Sequence, residues 1–257
     1  MTKFDLVDRV VIVTGGGTGI GKAYSEAFAQ AGAKVVIADI ADREANQVAG
    51  EISEIGGTVI AITTDISNED CTLSMAEATL EKFGRIDVLI NNASLMSTLK
   101  RRPWHKIDVD EWDRVMQVNL RGMFLCCRAV YPQMKKQHRG KIVNISSSRF
   151  WSGAPFRLHY STSKAGVIGF TRSLAREVGD DNITVNAITP GFTESETQLA
   201  SSTSDYLLQA AERNKERAIK RAQLPDDLIG TVMFLASDAS NFLTGQTINV
   251  DGGASMH

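Results

Sequence analysis

Cysteine is scarce in this chain: Cys71, Cys126 and Cys127 make an odd count and no C-x-x-C pair. That pattern excludes a disulfide framework and a cysteine-built zinc site. Cys126 and Cys127 sit together in an apolar run and read as core fillers, and a reducing, cytoplasmic setting is the expectation. No run of about 18 apolar residues exists, so no membrane span is expected. MTKFDLVDRV at the start carries acids and lacks a long apolar core, so it is not expected to act as a secretory signal. An excess of basic charge is missing too: 28 Lys and Arg against 30 Asp and Glu leave a net charge of -2, which argues against a nucleic-acid partner. The four histidines, His105, His138, His159 and His257, have no metal-like spacing, and no metal site is expected. With five prolines and no Pro/Ser-rich linker, charge run or internal repeat, nothing divides the chain.

What the chain does contain is an alternation of short β-branched runs and longer helical patterns. The strand candidates are RVVIVT (9–14), KVVIAD (34–39), TVIAITTD (58–65), IDVLINNA (86–93), KIVNIS (141–146), NITVNAIT (182–189) and QTINVDGG near the end. Helices are expected from Ile20 to Ala31, through Glu51 to Ile55, from Glu69 to Phe83, around Tyr160 and from Pro225 to Ala236. A long helical stretch runs from Asp110 to Gln137, divided or bent near Gly122 and Pro132. Strands apolar on both faces and separated by helices imply a parallel sheet covered on both sides. Right-handed crossovers then make an α/β, doubly wound Rossmann-type sheet of seven strands, in a single domain over residues 1–257. The polar segment from about 192 to 222 follows Pro190-Gly191, lacks a strand and reads as a lid insertion.

TGGGTGIG (14–21) joins the first strand to the first helix. Gly15, Gly19 and Gly21 let the backbone turn sharply and approach a pyrophosphate, which meets free N–H groups at the helix N-terminus. A glycine cluster alone is a weak signal, but its place inside a βαβ unit strengthens it. Asp39 ends the second strand, where a carboxylate can accept hydrogen bonds from both adenosine ribose hydroxyls and repel a 2′-phosphate. A turn-forming aspartate is the plainer alternative. Arg43, four residues on, is the one nearby cation for a phosphate, and Asp39 opposes it. NAD is therefore expected over NADP.

HYSTSK (159–164) sets Tyr160 and Lys164 four residues apart, on one face if the segment is helical. An ammonium beside a phenol favours the phenolate and lowers the tyrosine pKa, so the phenol can exchange a proton near neutral pH. The hexapeptide alone also fits an ordinary surface tyrosine and lysine.

Taken together, TGGGTGIG, Asp65, NNAS (91–94), Asn119, Ser147, Tyr160-Ser-Thr-Ser-Lys164, Pro190-Gly191 and the terminal GQTINVDGG resemble the short-chain dehydrogenases/reductases, in their compact one-domain branch. The resemblance covers nearly the whole chain and implies roles. Tyr160 would be the acid/base, Lys164 would lower its pKa and hold the nicotinamide ribose, and Ser147 would hydrogen-bond the reacting oxygen. Among Ser146, Ser147 and Ser148 the family spacing alone selects Ser147. Asn119 would order a helix kink and a water linking Lys164 to solvent. Asp65 resembles the residue that binds the adenine amino group, Asn91 the residue that stabilises the central strand, and Ala93 would pack on the cofactor. Ser94 stands where the family usually has glycine, and Ser195 where a threonine often contacts the carboxamide. The loop's Gly17, Thr18 and Ile20, then Ile40 and Ile66 beside the two aspartates, and Pro190, Gly191, Phe192 and Thr193 complete the expected cofactor contacts.

The activity so implied is hydride transfer between NAD(H) and a secondary alcohol or ketone. Leu95, Met96, Arg149, Phe150, Trp151 and Phe156 join Ser147 as candidate pocket residues. FWSGAPF holds three rings in seven residues, which suits a ring-bearing substrate but equally suits rings that pack a lid or a subunit contact. Arg149 and Arg157 can attract a carboxylate or phosphate, or be surface charges. His159 precedes Tyr160 on a different helix face and reads as structural. The stretch is similar to catabolic members acting on cyclic or aromatic alcohols, the 1-phenylethanol and pyridoxal dehydrogenases among them. The family also implies a homotetramer, with the SMH tail able to reach a neighbouring site. Two rival readings stand beside this one: an NADPH-dependent 3-oxoacyl-carrier-protein reductase, which Asp39 opposes, and a non-catalytic nucleotide-binding protein, which has no need of a tuned phenol.

Overall fold

The computed structural model describes residues 4–200, 211–212 and 214–256. Seven strands form one sheet: β1 (Val10–Thr14), β2 (Lys34–Asp39), β3 (Thr58–Thr63), β4 (Val88–Asn91), β5 (Gly140–Ile145), β6 (Ile183–Pro190) and β7 (Thr247–Val250). Their order is β3-β2-β1-β4-β5-β6-β7, and every neighbouring pair is parallel. The central strands are runs of valine and isoleucine buried on both faces, as a sheet sandwiched between helix layers requires. One apolar layer, including Val11, Val13, Phe28, Ile37 and Leu228, lies on one face. The other, including Ile12, Leu89, Met75, Cys126 and Cys127, lies on the opposite face, and Cys126 and Cys127 are indeed buried core fillers. The alternation of Val11 and Val13 against Val10 and Ile12 between the two layers is the two-residue period of a strand.

The covering helices are α1 (Gly19–Gln30), α2 (Asp42–Glu54), α3 (Glu69–Phe83), α4 (Val109–Met116), α5 (Met123–Gln137), α6 (Arg149–Ser152), α7 (Leu158–Glu177), α8 (Glu196–Ala200) and α9 (Asp226–Ala236). The long helical stretch predicted over Asp110 to Gln137 is continuous but changes pitch. A π turn, Gln117–Gly122, separates α4 from α5, while Pro132 sits inside α5 without ending it. No helix of the described residues is long and apolar enough to cross a membrane.

At the N-terminal end of the sheet Asp87 is buried, accepts the Val10 N–H at 2.9 Å and pairs with Arg85 and Arg9. Arg9 and Arg139 both reach Asp238 behind α9. The opposite end is open. The chain leaves β1 toward β2 on one side and leaves its neighbour β4 toward β5 on the other, so the loops after β1 and β4 part and leave a crevice.

Candidate active site

A cavity of about 720 Å³ occupies that crevice at the carboxyl ends of the strands. Its floor is the turn after β1. Gly15 has φ +62°, and a Cβ there would stand 2.9 Å from Ala93 Cα; at Gly21 a Cβ would fall 1.9 Å from the Gly15 carbonyl oxygen. Only glycine fits either position, and the backbone is left bare toward the cavity. Thr18 precedes α1 without a side-chain cap, so the helix keeps its free first-turn N–H groups beside the cavity. The Ser195 and Thr197 hydroxyls stand over Gly19 from the opposite wall. Bare backbone, free N–H groups and two hydroxyls suit a pyrophosphate.

Asp39 lies at the end of β2, is buried, and lines the cavity with Ile40. It accepts the Gly17 N–H at 2.9 Å and the Ala41 N–H at 3.0 Å, one on each oxygen. Each carboxylate oxygen retains a lone pair for a further donor. Arg43 is almost fully exposed and paired with Glu44 outside the cavity. Asp65 lines the same end with Ile66; burial works to raise its pKa, but hydrogen bonds from the Ser67 hydroxyl and N–H outweigh that and hold the carboxyl below its ordinary value. Arg114 stands 3.9 Å from it.

The other end of the cavity is built on α7. Tyr160 and Lys164, one turn apart, both line the cavity and are both buried. Lys164 Nζ donates to the Ile145 carbonyl at 2.7 Å and lies 5.8 Å from the centre of the Tyr160 ring. Burial pushes its pKa down to about 7. The three serines after β5 divide their work. The Ser146 hydroxyl donates to the Lys164 carbonyl at 2.6 Å, whereas the Ser147 hydroxyl, a lining group, accepts the Arg149 N–H at 3.3 Å. Asn119, in the π turn, does not line the cavity: it accepts the Leu95 N–H at 2.7 Å and donates to Ser163 Oγ at 3.0 Å, which donates to the Tyr160 carbonyl at 2.8 Å. The π turn is thereby tied to the tyrosine helix through side chains.

Most expected cofactor residues converge here. Gly15, Thr18, Gly19, Ile20 and Gly21 form the floor; Ala93 and Ser94 follow β4; Pro190, Gly191, Phe192, Thr193 and Ser195 follow β6. Two stand apart. Gly17 lines a separate hollow with Lys22 and Glu44, and its contribution is the N–H bound to Asp39. Asn91 is buried in the sheet, donating to Asn144 Oδ1 at 2.9 Å, consistent with a strand-stabilising residue rather than a contact group. Asn92 faces the cavity instead and donates to the Thr14 and Gly15 carbonyls; the NNAS motif does not by itself tell which amide turns inward.

On the substrate side Leu95, Met96 and Arg149 line the cavity, and Phe150, Trp151 and Phe156 do not. Trp151 Nε1 donates to Thr189, Phe150 meets Trp151 edge to face at 4.6 Å, and Phe156, at φ +71°, lies under Arg101. Arg149 donates to the Ala154 and Pro155 carbonyls. Arg157, one of the two arginines left between anion contact and surface charge, lines the cavity, as do Thr197, Gln198 and Arg217 of the 192–222 segment, which the sequence did not single out one by one. His159 is buried away from the cavity, 2.9 Å from Glu111. The predicted lid falls partly outside the described residues; its ends are held together by a bridge between Thr193 and Gln223, and α8 lies within it. Near the carboxyl end Ala254 lines the cavity of its own chain, held by Asp251, which accepts the N–H groups of Gly253, Ala254 and Ser255; of the SMH tail, His257 lies outside the described residues. Among the described residues no His, Cys, Asp and Glu cluster is arranged to hold a metal.

A family model described as enoyl-(acyl carrier protein) reductase matches residues 15–255. A probable galactose dehydrogenase of Rhizobium meliloti is 40% identical over 250 residues, 97% of this chain and 96% of that protein. A 3-oxoacyl-(acyl-carrier-protein) reductase of Synechocystis is 40% identical over 254 residues, 98% of each chain. The crystal structure of a 3-ketoacyl-(acyl-carrier-protein) reductase from Brucella melitensis, complexed with NADH, superposes with a TM-score of 0.89 at 32% identity, over 98% of this chain and 100% of that one.

Proposed function

The chain belongs to the short-chain dehydrogenase/reductase family of oxidoreductases, which bind NAD or NADP, and from that premise we propose that it interconverts a secondary alcohol and its ketone with NAD(H). The observation that carries this reading is that Ser147, Tyr160 and Lys164 share one cavity with the glycine turn and Asp39. The nicotinamide, when bound, supplies the hydride acceptor or donor. The glycine turn, the α1 N-terminus and the Ser195 and Thr197 hydroxyls would hold the pyrophosphate, and Asp39 the adenosine ribose. Ser147 would hydrogen-bond the substrate oxygen, being the hydroxyl of the pair not spent on the Lys164 carbonyl. Tyr160 would take the hydroxyl proton in oxidation and return it in reduction. The Lys164 ammonium would stabilise the phenolate so formed. Asn119 is a positioning residue, bracing the Leu95 backbone and, through Ser163, the first turn of α7.

NAD is favoured over NADP because Asp39 presents negative charge where a 2′-phosphate would sit and Arg43 faces away from it. The protein is read as one dinucleotide-binding and catalytic domain whose segment 192–222 closes over the cavity, working as a homotetramer. A second reading, reduction of 3-oxoacyl groups, has the names of the Synechocystis and Brucella proteins in its favour. A screen of secondary alcohols with NAD and NADP, followed by nicotinamide absorbance, tests the proposal. Turnover with NAD well above NADP is the expected result; a strong NADPH preference on 3-oxoacyl thioesters with no alcohol oxidation would favour the second reading.

A further inference from the structure

Two segments wall the substrate side of the cavity, residues 88–107 and 140–176, and neither contains an aspartate or glutamate. They carry Lys100, Arg101, Arg102, Arg149, Arg157 and Lys164, in a chain whose net charge is -2. Arg102 is paired with Asp108 and Glu111, and of these cations Arg149, Arg157 and Lys164 line the cavity, with Glu216 as the acid on the lid side. Arg157 is the strongly buried arginine of this wall. It lines the cavity yet is only 8% exposed, and no ion pair among the described residues includes it. Arg217, the other strongly buried arginine of the cavity, has its pKa lowered by burial against the opposing charges of Asp251 and Glu194, and it donates to the Phe192 and Arg221 carbonyls on the lid side.

A guanidinium has five N–H donors in a planar fork. Arg157 spends Nε and one Nη2 hydrogen on the Leu99 carbonyl, at 3.2 and 3.0 Å, and its Nη1 lies 3.9 Å from the sulfur of Met96, a weak acceptor. One N–H of each terminal nitrogen is left over, and these two form the edge that matches the two oxygens of a carboxylate. The Leu99 contact fixes that edge in place, and Leu99 packs with Tyr160, Leu95 and Met96 in one small apolar cluster. A buried cation without a counter-charge is costly, and a bound anion removes the cost.

We propose that the substrate carries a carboxylate, seated on Arg157 while its carbinol carbon faces Tyr160 and Ser147. The inference rests on the dehydrogenase reading and narrows it to hydroxy acids and oxo acids. The test compares 3-hydroxybutyrate and mandelate, each with its methyl ester, as substrates with NAD and NADP. In the unmodified protein the acid is expected to exceed its ester in kcat/KM by about tenfold or more, mostly through KM. Arg157→Met should lower that acid-to-ester ratio by about the same factor, and Arg157→Lys should retain part of it. Equal use of acid and ester by the unmodified protein overturns the carboxylate site and leaves the dehydrogenase reading intact. If neither acid nor ester reacts with either coenzyme, the dehydrogenase reading is judged by the wider alcohol screen, and binding decides the site by itself. Quenching of bound NADH fluorescence by benzoate but not benzamide upholds it, and equal or absent responses overturn it. If Arg157→Met melts before assay temperature, the ratio in the unmodified protein and in Arg157→Lys decides.

Discussion

Lys164 is held in an unfavourable place. Burial pushes its pKa from 10.5 in the unfolded chain down to about 7, so the unfolded chain binds the extra proton between those values. Stability of the cofactor-free protein should therefore rise with pH across that window, at up to about 1.4 kcal/mol per pH unit from this residue. Below pH 7 both states are protonated and the full cost of the buried ammonium remains; above 10.5 both are neutral and it vanishes. Lys141, lowered to about 8 mainly by burial, adds a slope of the same sign over the shorter window from about 8 to 10.5. Urea unfolding at several pH values should show the rise, and Lys164→Met should remove the larger part while leaving that of Lys141. The same side chain reads as catalytic because its charge sits beside the Tyr160 ring. The one-turn spacing of Tyr160 and Lys164 was legible in six letters of sequence, and so was their shared face. Their burial was not, since it depends on Leu99, Val115 and Ile145, contributed from distant segments.

At the scale of elements, the turn between β1 and α1 is constrained by absent side chains. A Cβ on Gly21 would meet the Gly15 carbonyl oxygen at 1.9 Å and Asn92 Nδ2 at 2.6 Å. Gly21→Ala should destabilise the protein by about 1–3 kcal/mol and abolish NADH binding, read by denaturant unfolding and by fluorescence titration. Gly50→Ala is the opposite case: this glycine lies within α2 with nothing near its side-chain position, and the change should stabilise by about 0.5–1 kcal/mol without affecting NADH binding. Strands were the most legible elements, because β-branched runs buried on both faces have few other uses; KVVIAD is β2 to the residue. The stretch from 109 to 137 was harder. Gly122 and Pro132 both suggested a break, yet the change of pitch is the π turn ending at Gly122, set by tertiary bonds from Asn119 to Leu95 and Ser163. FWSGAPF left two readings open in the sequence, pocket rings or packing rings, for a related reason. Its rings are close in sequence, but Gly153 at φ +60° and Phe156 at φ +71° turn the chain, and Thr189 takes the indole N–H of Trp151.

Across the whole molecule, the cavity is a product of topology: loops after β1, β2, β3, β4, β5 and β6, with Ala254 from the carboxyl end, all reach it. A dinucleotide bound there bridges segments that only the folded chain assembles, so it should stabilise the protein as a unit. NADH at a hundredfold excess over its Kd should add about 2.7 kcal/mol, and NADPH at the same concentration less, because Asp39 opposes the 2′-phosphate. Thermal melting with each coenzyme reads both effects; equal shifts would remove the case for NAD preference. The doubly wound seven-stranded sheet and most of the residues that line the cavity were legible in the order of motifs. The clamp of Arg157 on Leu99, 58 residues away, had no signal in either segment alone.

The proposed reaction is a transfer of hydride from a carbinol carbon, with Tyr160 moving the proton. It is tested most directly with a secondary alcohol from the screen, deuterated at that carbon and incubated with NAD, the reduced coenzyme then being read by NMR. One deuterium is expected at the nicotinamide C4, delivered to one face, and a rate lowered by about a hundredfold or more in Tyr160→Phe with folding unchanged. Reduced coenzyme without deuterium, or a Tyr160→Phe protein as fast as the original, would contradict it.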